Sequence, residues 1–148
     1  LASGYPISAV LFREELGSWP PGAHGTTFGG QAVAAAAAHA TLDLLEGGLQ
    51  ENAARLGEFL LAELRALKRR FPFLGDVRGR GLMIGLDFGD PDHPQPDLRD
   101  KAVRLAFEKG LLLLPAGPSA LRIAPPPVLT QEEAALGLEI LEEVFRAL

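Results

Sequence analysis

At 148 residues, with 47% hydrophobic and 22% charged residues, the chain has the size and balance of a folded globular protein rather than a disordered one. A net charge of −5 and the absence of a long basic run argue against nonspecific nucleic-acid binding. With no cysteine, the chain has neither a disulfide scaffold nor a thiolate metal site, which fits a cytoplasmic protein. No stretch reaches the roughly 18 apolar residues of a membrane span, and no basic region followed by an apolar core opens the sequence, so neither an anchor nor a secretory signal is read.

Residues 7–12 read as a short buried strand leaving the turn at Tyr5 and Pro6. Residues 17–25, with Pro20, Pro21 and three glycines, read as a loop. A helix follows over about 30–46, built on the alanine run Ala34 to Ala38 and ended by Gly47 and Gly48. A second helix covers about 49–70, with Leu56, Phe59, Leu60, Leu64 and Leu67 on one face and Pro72 as its stop. Residues 77–88 read as one interrupted strand, half buried through Leu82, Ile84 and Leu86. A Pro- and Asp-rich loop covers 89–95, and an amphipathic helix covers 97–109 with Leu98, Ala102, Leu105 and Ala106 on one side. Strands are expected at 111–114 and 121–124 around a turn at 115–119. Thr130 and Glu133 form a capping box for a last helix reaching Ala147, with Leu138, Leu141, Val144 and Phe145 as its apolar stripe. The expected fold class is α/β, with strands packed on helices.

The segment from Gly22 to Gln31 carries the chemistry. Thr26, Thr27, Gly29 and Gly30 stand directly before a strong helix former. The first N–H groups of a helix lack intrahelical partners and its N-terminus is partly positive. Glycines let backbone approach a bound group, and a threonine hydroxyl adds a hydrogen bond. The same residues also make a plain cap and tight turn. The spacing is neither a Walker loop nor a dinucleotide fingerprint. Arg122, between Leu121 and Ile123 on a strand, points opposite to both. Its planar fork suits a carboxylate, the alternative being a solvated edge-strand arginine. His24, His39 and His93 do not stand at ligand spacing, and His93 with Asp90, Asp92 and Asp97 reads as a solvated loop, so no metal is expected.

The run His24-Gly25-Thr26-Thr27-Phe28-Gly29-Gly30, continued by Val33 and the alanines, resembles the phosphate-contacting segment of the class III pyridoxal-phosphate-dependent aminotransferases. Three further stretches resemble the same family in the same order. These are residues 1–10 after its Schiff-base lysine, 76–85 opening its small domain, and 110–114 with Leu121-Arg122-Ile123-Ala124-Pro125-Pro126 as its closing strand pair. The resemblance implies that residues 1–47 end the large cofactor domain with its linking helix, and that 48–148 form the small C-terminal domain. It implies that Thr27, with Thr26 in support, binds the phosphate of pyridoxal 5'-phosphate across a homodimer interface. It also implies that Arg122 binds the substrate carboxylate. Arg78 and Arg80 are expected to shape the domain.

The family's Schiff-base lysine falls upstream of Leu1, so no catalytic residue is assigned. Lys68, Lys101 and Lys109 lie in charged helical stretches outside that context. The chain therefore reads as the C-terminal part of a longer enzyme, inactive alone, that moves an amino group from an ω-amino acid such as 4-aminobutyrate to a 2-oxo acid. Alternatives are an acetylornithine or ornithine aminotransferase, an amino-acid racemase of the same family, or a non-catalytic module.

Overall fold

The computed structural model describes residues 1–17 and 19–148; Ser18, inside the predicted loop, lies outside the described residues. The chain divides into two compact units, Leu1–Gly48 and Leu49–Leu148.

The first unit has little regular structure before its helix. An isolated bridge joins Ala2 and Tyr5 through a tight turn in which Ser3 and Gly4 both adopt positive φ. A single 3-10 turn covers Glu14–Leu16. The strand predicted over 7–12 does not form: these residues have no ladder partner among the described residues. An extended segment needs a neighbour to take its N–H and C=O groups, and apolar content alone does not supply one. Helix α1 spans Ala32–Leu44, two residues shorter at each end than its sequence pattern. It buries Ala34 and Ala38, one turn apart. Thr41 on the same helix donates to the Ala37 carbonyl at 2.8 Å and meets the Ser3 hydroxyl at 3.3 Å. A wide turn over Leu45–Leu49 follows, broken at Gly48 where φ reaches 123°. The Gly47-Gly48 stop read from the sequence is therefore where the helical path breaks.

The second unit is a mixed α/β layer. Helix α2 (Gln50–Arg70) leads into strands β1 (Leu74–Arg80) and β2 (Met83–Phe88). Helix α3 (Pro96–Glu108), strands β3 (Leu114–Ala116) and β4 (Ala120–Ile123), and helix α4 (Gln131–Arg146) complete it. The four strands form an antiparallel sheet in the order β1-β2-β4-β3. The single strand expected over 77–88 is a hairpin, because Gly81 at φ 54° turns the chain and Leu82 is buried in the turn itself. The strand expected at 111–114 reduces to Leu114–Ala116, shifted into the predicted turn.

Alternation sorts the sheet into two faces. Leu74, Val77, Ile84, Leu86, Phe88 and Leu121 turn inward, where they join Leu56, Leu60 and Leu64 of α2, Ala102 and Ala106 of α3, and Leu141, Val144 and Phe145 of α4. Phe73 stacks on Phe88, and Phe145 meets both edge-on. Helix α2 passes so close to the β1–β2 turn that a Cβ on Gly57 would lie 2.3 Å from the Gly81 carbonyl oxygen. The predicted capping box is present: Glu133 N–H donates to the Thr130 hydroxyl at 3.2 Å, and Thr130 N–H donates to the Glu133 carboxylate at 2.9 Å.

Candidate functional site

Two groups of candidate residues stand in the two units. In the first, residues 21–30 form successive turns on exposed backbone, with positive φ at Gly22 and Gly30. Gly29 N–H donates to the Thr26 carbonyl at 3.4 Å, and a Cβ on Gly29 would lie 2.6 Å from the Thr26 methyl group. Thr26 is exposed and lies against Gly29 within the turn. Thr27 follows it, exposed. Neither threonine caps α1. The N-cap is Gln31, whose side chain makes no capping hydrogen bond, and the first intrahelical bond runs from Ala35 N–H to the Gln31 carbonyl at 2.9 Å. The amides of the first turn thus lack a side-chain acceptor among the described residues, in a helix with no acidic residue in that turn.

In the second unit, the outward face of the sheet carries Asp76, Arg78 and Arg80 from β1, Gly85 and Asp87 from β2, Arg122 from β4 and Leu114 from β3. Register places one row straight across all four strands: Arg78 opposite Gly85, Gly85 opposite Arg122, and Arg122 opposite Leu114. Arg122 is exposed, while Leu121 beside it is fully buried. Its outward direction, read from the sequence, is therefore observed. Among the described residues it enters no hydrogen bond or ion pair.

Arg78 is differently placed. Its side chain extends across the row toward Gly85, where a Cβ would lie 3.9 Å from its guanidinium carbon. It donates to Asp87 through both terminal nitrogens, one bond measuring 3.1 Å, and to Asp76 at 3.0 Å. Asp87 first, then Asp76, hold the guanidinium pKa above its ordinary value. A cleft of about 410 Å³ opens beside this pair, bounded by Asp90 and Pro94 on one loop and Gly117 to Ala120 on the other.

Arg99 was not apparent from the predicted apolar stripe of α3. It is buried, with a guanidinium that donates to the Ala120 carbonyl at 3.0 Å and to Asp100 at 2.6 Å. It ties the start of β4 to α3. The buried residues of this helix are Arg99, Ala102 and Ala106, a spacing that the sequence pattern contains but that passes through an arginine.

The remaining candidates serve local structure. Asp90 accepts the backbone N–H groups of His93 and Asp92 and faces the His93 ring at 3.1 Å, closing the 89–95 loop on itself. The His93 N–H is the first cause holding its carboxyl below the usual range. His24 lies edge-on to Trp19, and His39 is exposed on α1. Among the described residues no three His, Asp or Glu side chains gather as a metal site, and no helix is long and apolar enough to cross a membrane.

The family model described as aminotransferase class-III matches residues 1–145. The chain is 40% identical to an alanine/serine racemase of Pyrococcus horikoshii, over 99% of this chain and 32% of that protein. It is 42% identical to an acetylornithine aminotransferase of Gloeobacter violaceus, over 100% of this chain and 36% of that protein. Among solved structures, an amine transaminase from an uncultivated Pseudomonas species, in its pyridoxal-phosphate-bound form, superposes with a TM-score of 0.76. That structure is 38% identical, over 84% of this chain and 30% of that one. The chain thus spans about a third of the length of the curated relatives it matches. A family match along nearly the whole sequence, with the same α/β fold in a solved relative, places this chain in the class III aminotransferase family.

Proposed function

We propose that the chain is the C-terminal part of a pyridoxal-phosphate-dependent aminotransferase of the acetylornithine type, with a 2-oxo acid as amino acceptor. The observation that carries this reading is the recurrence of acetylornithine aminotransferases among relatives that match nearly the entire chain at about the same identity. These relatives favour acetylornithine over the 4-aminobutyrate expected from the sequence. In this reading residues 1–47 finish the large domain and 48–148 are the small domain.

The residues present suit the cofactor's phosphate. Thr27 offers an exposed hydroxyl beside two glycines, and the first turn of α1 offers N–H groups without a side-chain cap. Thr26 holds the turn that presents them. Pyridoxal phosphate, when bound, supplies the electron sink for the carbon that loses its proton. Arg122 takes the substrate carboxylate in its fork, fixing that end of the amino acid while the reacting carbon is deprotonated. The proton-carrying lysine lies upstream of Leu1. By family resemblance Thr27 serves the neighbouring subunit, which makes the enzyme a homodimer, and without the upstream lysine the 148 residues alone are expected to be inactive.

A second reading, amino-acid racemisation, is favoured by the identity to the alanine/serine racemase. The full-length parent, loaded with pyridoxal phosphate, separates the two. Turnover is measured with N-acetylornithine, ornithine and 4-aminobutyrate in the presence of 2-oxoglutarate, and L-alanine alone is followed for loss of optical purity. The highest kcat/KM is expected on N-acetylornithine. Racemisation without an oxo acid would move the assignment to the second reading, and no turnover on any of these would overturn both.

A further inference from the structure

Arg122 and Asp87 present an unused pairing. Asp87 stands on β2, two residues along from Gly85, on the same outward face as Arg122. Because Gly85 is opposite Arg122 and Asp87 is opposite Ala120, Asp87 is the diagonal neighbour of Arg122. Diagonal neighbours across antiparallel strands lie within about 7–8 Å, inside the reach of an arginine. Nothing protrudes between them from position 85, which is glycine. Yet the Asp87 carboxylate turns the other way, to Arg78, which engages both of its oxygens.

Asp76 adds a second force in the same direction. It stands directly opposite Asp87 in the β1–β2 ladder, so two carboxylates share one cross-strand position. Like charges so placed repel. Arg78 bridges them, donating to each. Without that guanidinium, Asp76 would drive Asp87 away from β1, toward β4 and Arg122.

We propose that Arg78 is a positioning residue that holds Asp87 off Arg122 and so keeps the Arg122 guanidinium open for the substrate carboxylate. The proposal rests on the carboxylate-binding reading of Arg122 given above. Arg78 does not touch substrate. It removes an internal competitor, the one carboxylate that the sheet register brings beside Arg122 on β2.

The test uses the full-length enzyme and follows KM and kcat separately for a carboxylate-bearing amino donor and for a simple amine lacking a carboxylate. In Arg78→Gln, KM for the carboxylate donor should rise roughly three- to fivefold, the worth of one exposed opposite-charge pair, with kcat little changed. KM for the carboxylate-free amine should stay as it is. Arg78→Gln combined with Asp87→Asn should return the carboxylate KM to the parent value, a rescue that a merely structural role for Arg78 would not give. If Arg78→Gln fails to fold, Arg78→Lys keeps the charge but loses the two-pronged hold, and should give a smaller rise in the same KM. An unchanged carboxylate KM in whichever single variant folds, or a raised KM that Asp87→Asn does not restore, would overturn the proposal. Arg122→Gln is the separate control. If it leaves the carboxylate KM unchanged, the reading of Arg122 fails; if it raises KM while the Arg78 variants do not, only the positioning role fails.

Discussion

The two units of this chain reach their structure by different means. Residues Leu49–Leu148 close an aliphatic and aromatic core between one sheet face and three helices, with Leu56, Leu64, Leu86, Phe88 and Val144 all removed from solvent. Among the described residues, Leu1–Gly48 bury only Ala2, Ala34 and Ala38 of their hydrophobic side chains, and leave Leu11 97% and Phe28 81% exposed. Burying a large side chain contributes about 1.5–3 kcal/mol, and burying an alanine much less. The second unit therefore carries the means of its own stability, and the first does not. The proposed carboxylate anchor sits on the self-supporting sheet, whereas the proposed phosphate anchor sits on turns whose apolar neighbours lie open.

That contrast can be broken most directly by separating the units. As isolated polypeptides, residues 49–148 should unfold cooperatively on heating and residues 1–48 should show no cooperative transition by circular dichroism. A sharp transition in the shorter piece would show that its alanine helix and turns suffice.

Single substitutions sharpen the contrast within the intact chain. Phe145→Ala removes a ring that meets Phe71, Phe73 and Phe88, and should cost about 3–5 kcal/mol in chemical denaturation. Leu11→Ala should change stability by less than about 0.5 kcal/mol. Comparable losses at the two positions would contradict the difference drawn between the units.

A smaller loss than that at Phe145 concerns the ends of α4. Thr130→Ala should cost about 1 kcal/mol at neutral pH by removing the cap. Three carboxyls on this helix have depressed pKa values: Glu133 through the Thr130 backbone N–H, Glu142 through Arg70, and Glu143 through Lys109. A depressed value in the fold means that their stabilisation is present above the unfolded carboxylate range and is lost as pH falls through the folded values. Thermal melts taken from pH ~6 down to ~3 should show this decline, and Glu142→Gln, which removes the carboxyl shared by Arg70 and Arg146, should flatten it in part. A decline equally steep in Glu142→Gln would assign it to other groups.

Periodicity made α2, α3 and α4 legible, because each has an apolar stripe, with Pro72 ending α2 and the Thr130 box opening α4. The 7–12 segment misled for a physical reason. Its apolar residues match a strand pattern, but a strand is a relation between two segments, and the sequence does not state the partner. The turn at Gly81 was hidden similarly, since Leu82 continues the hydrophobic run while its backbone reverses. At the candidate site, the outward direction of Arg122 followed from strand alternation. The Arg78–Asp87 pairing did not, because it depends on cross-strand register, which places residues nine positions apart side by side. Arg99 escaped because a buried arginine interrupts the stripe by which buried positions are recognised.

The contact between Gly57 and Gly81 links scaffold to site by a different route. A methyl group on Gly57 would meet the carbonyl oxygen of the hairpin's turn, part of the main chain, so no neighbouring side chain can yield to relieve it. The relief left is to lift the hairpin from the helix. The same hairpin carries Arg78 and Asp87 on β1 and β2, and β2 is bonded to the strand of Arg122. One hydrogen atom in place of a methyl group, on the far side of the sheet, thus sets the height at which three charged side chains stand, and a change there would travel to them through the backbone as a lever rather than through any chain of side-chain contacts.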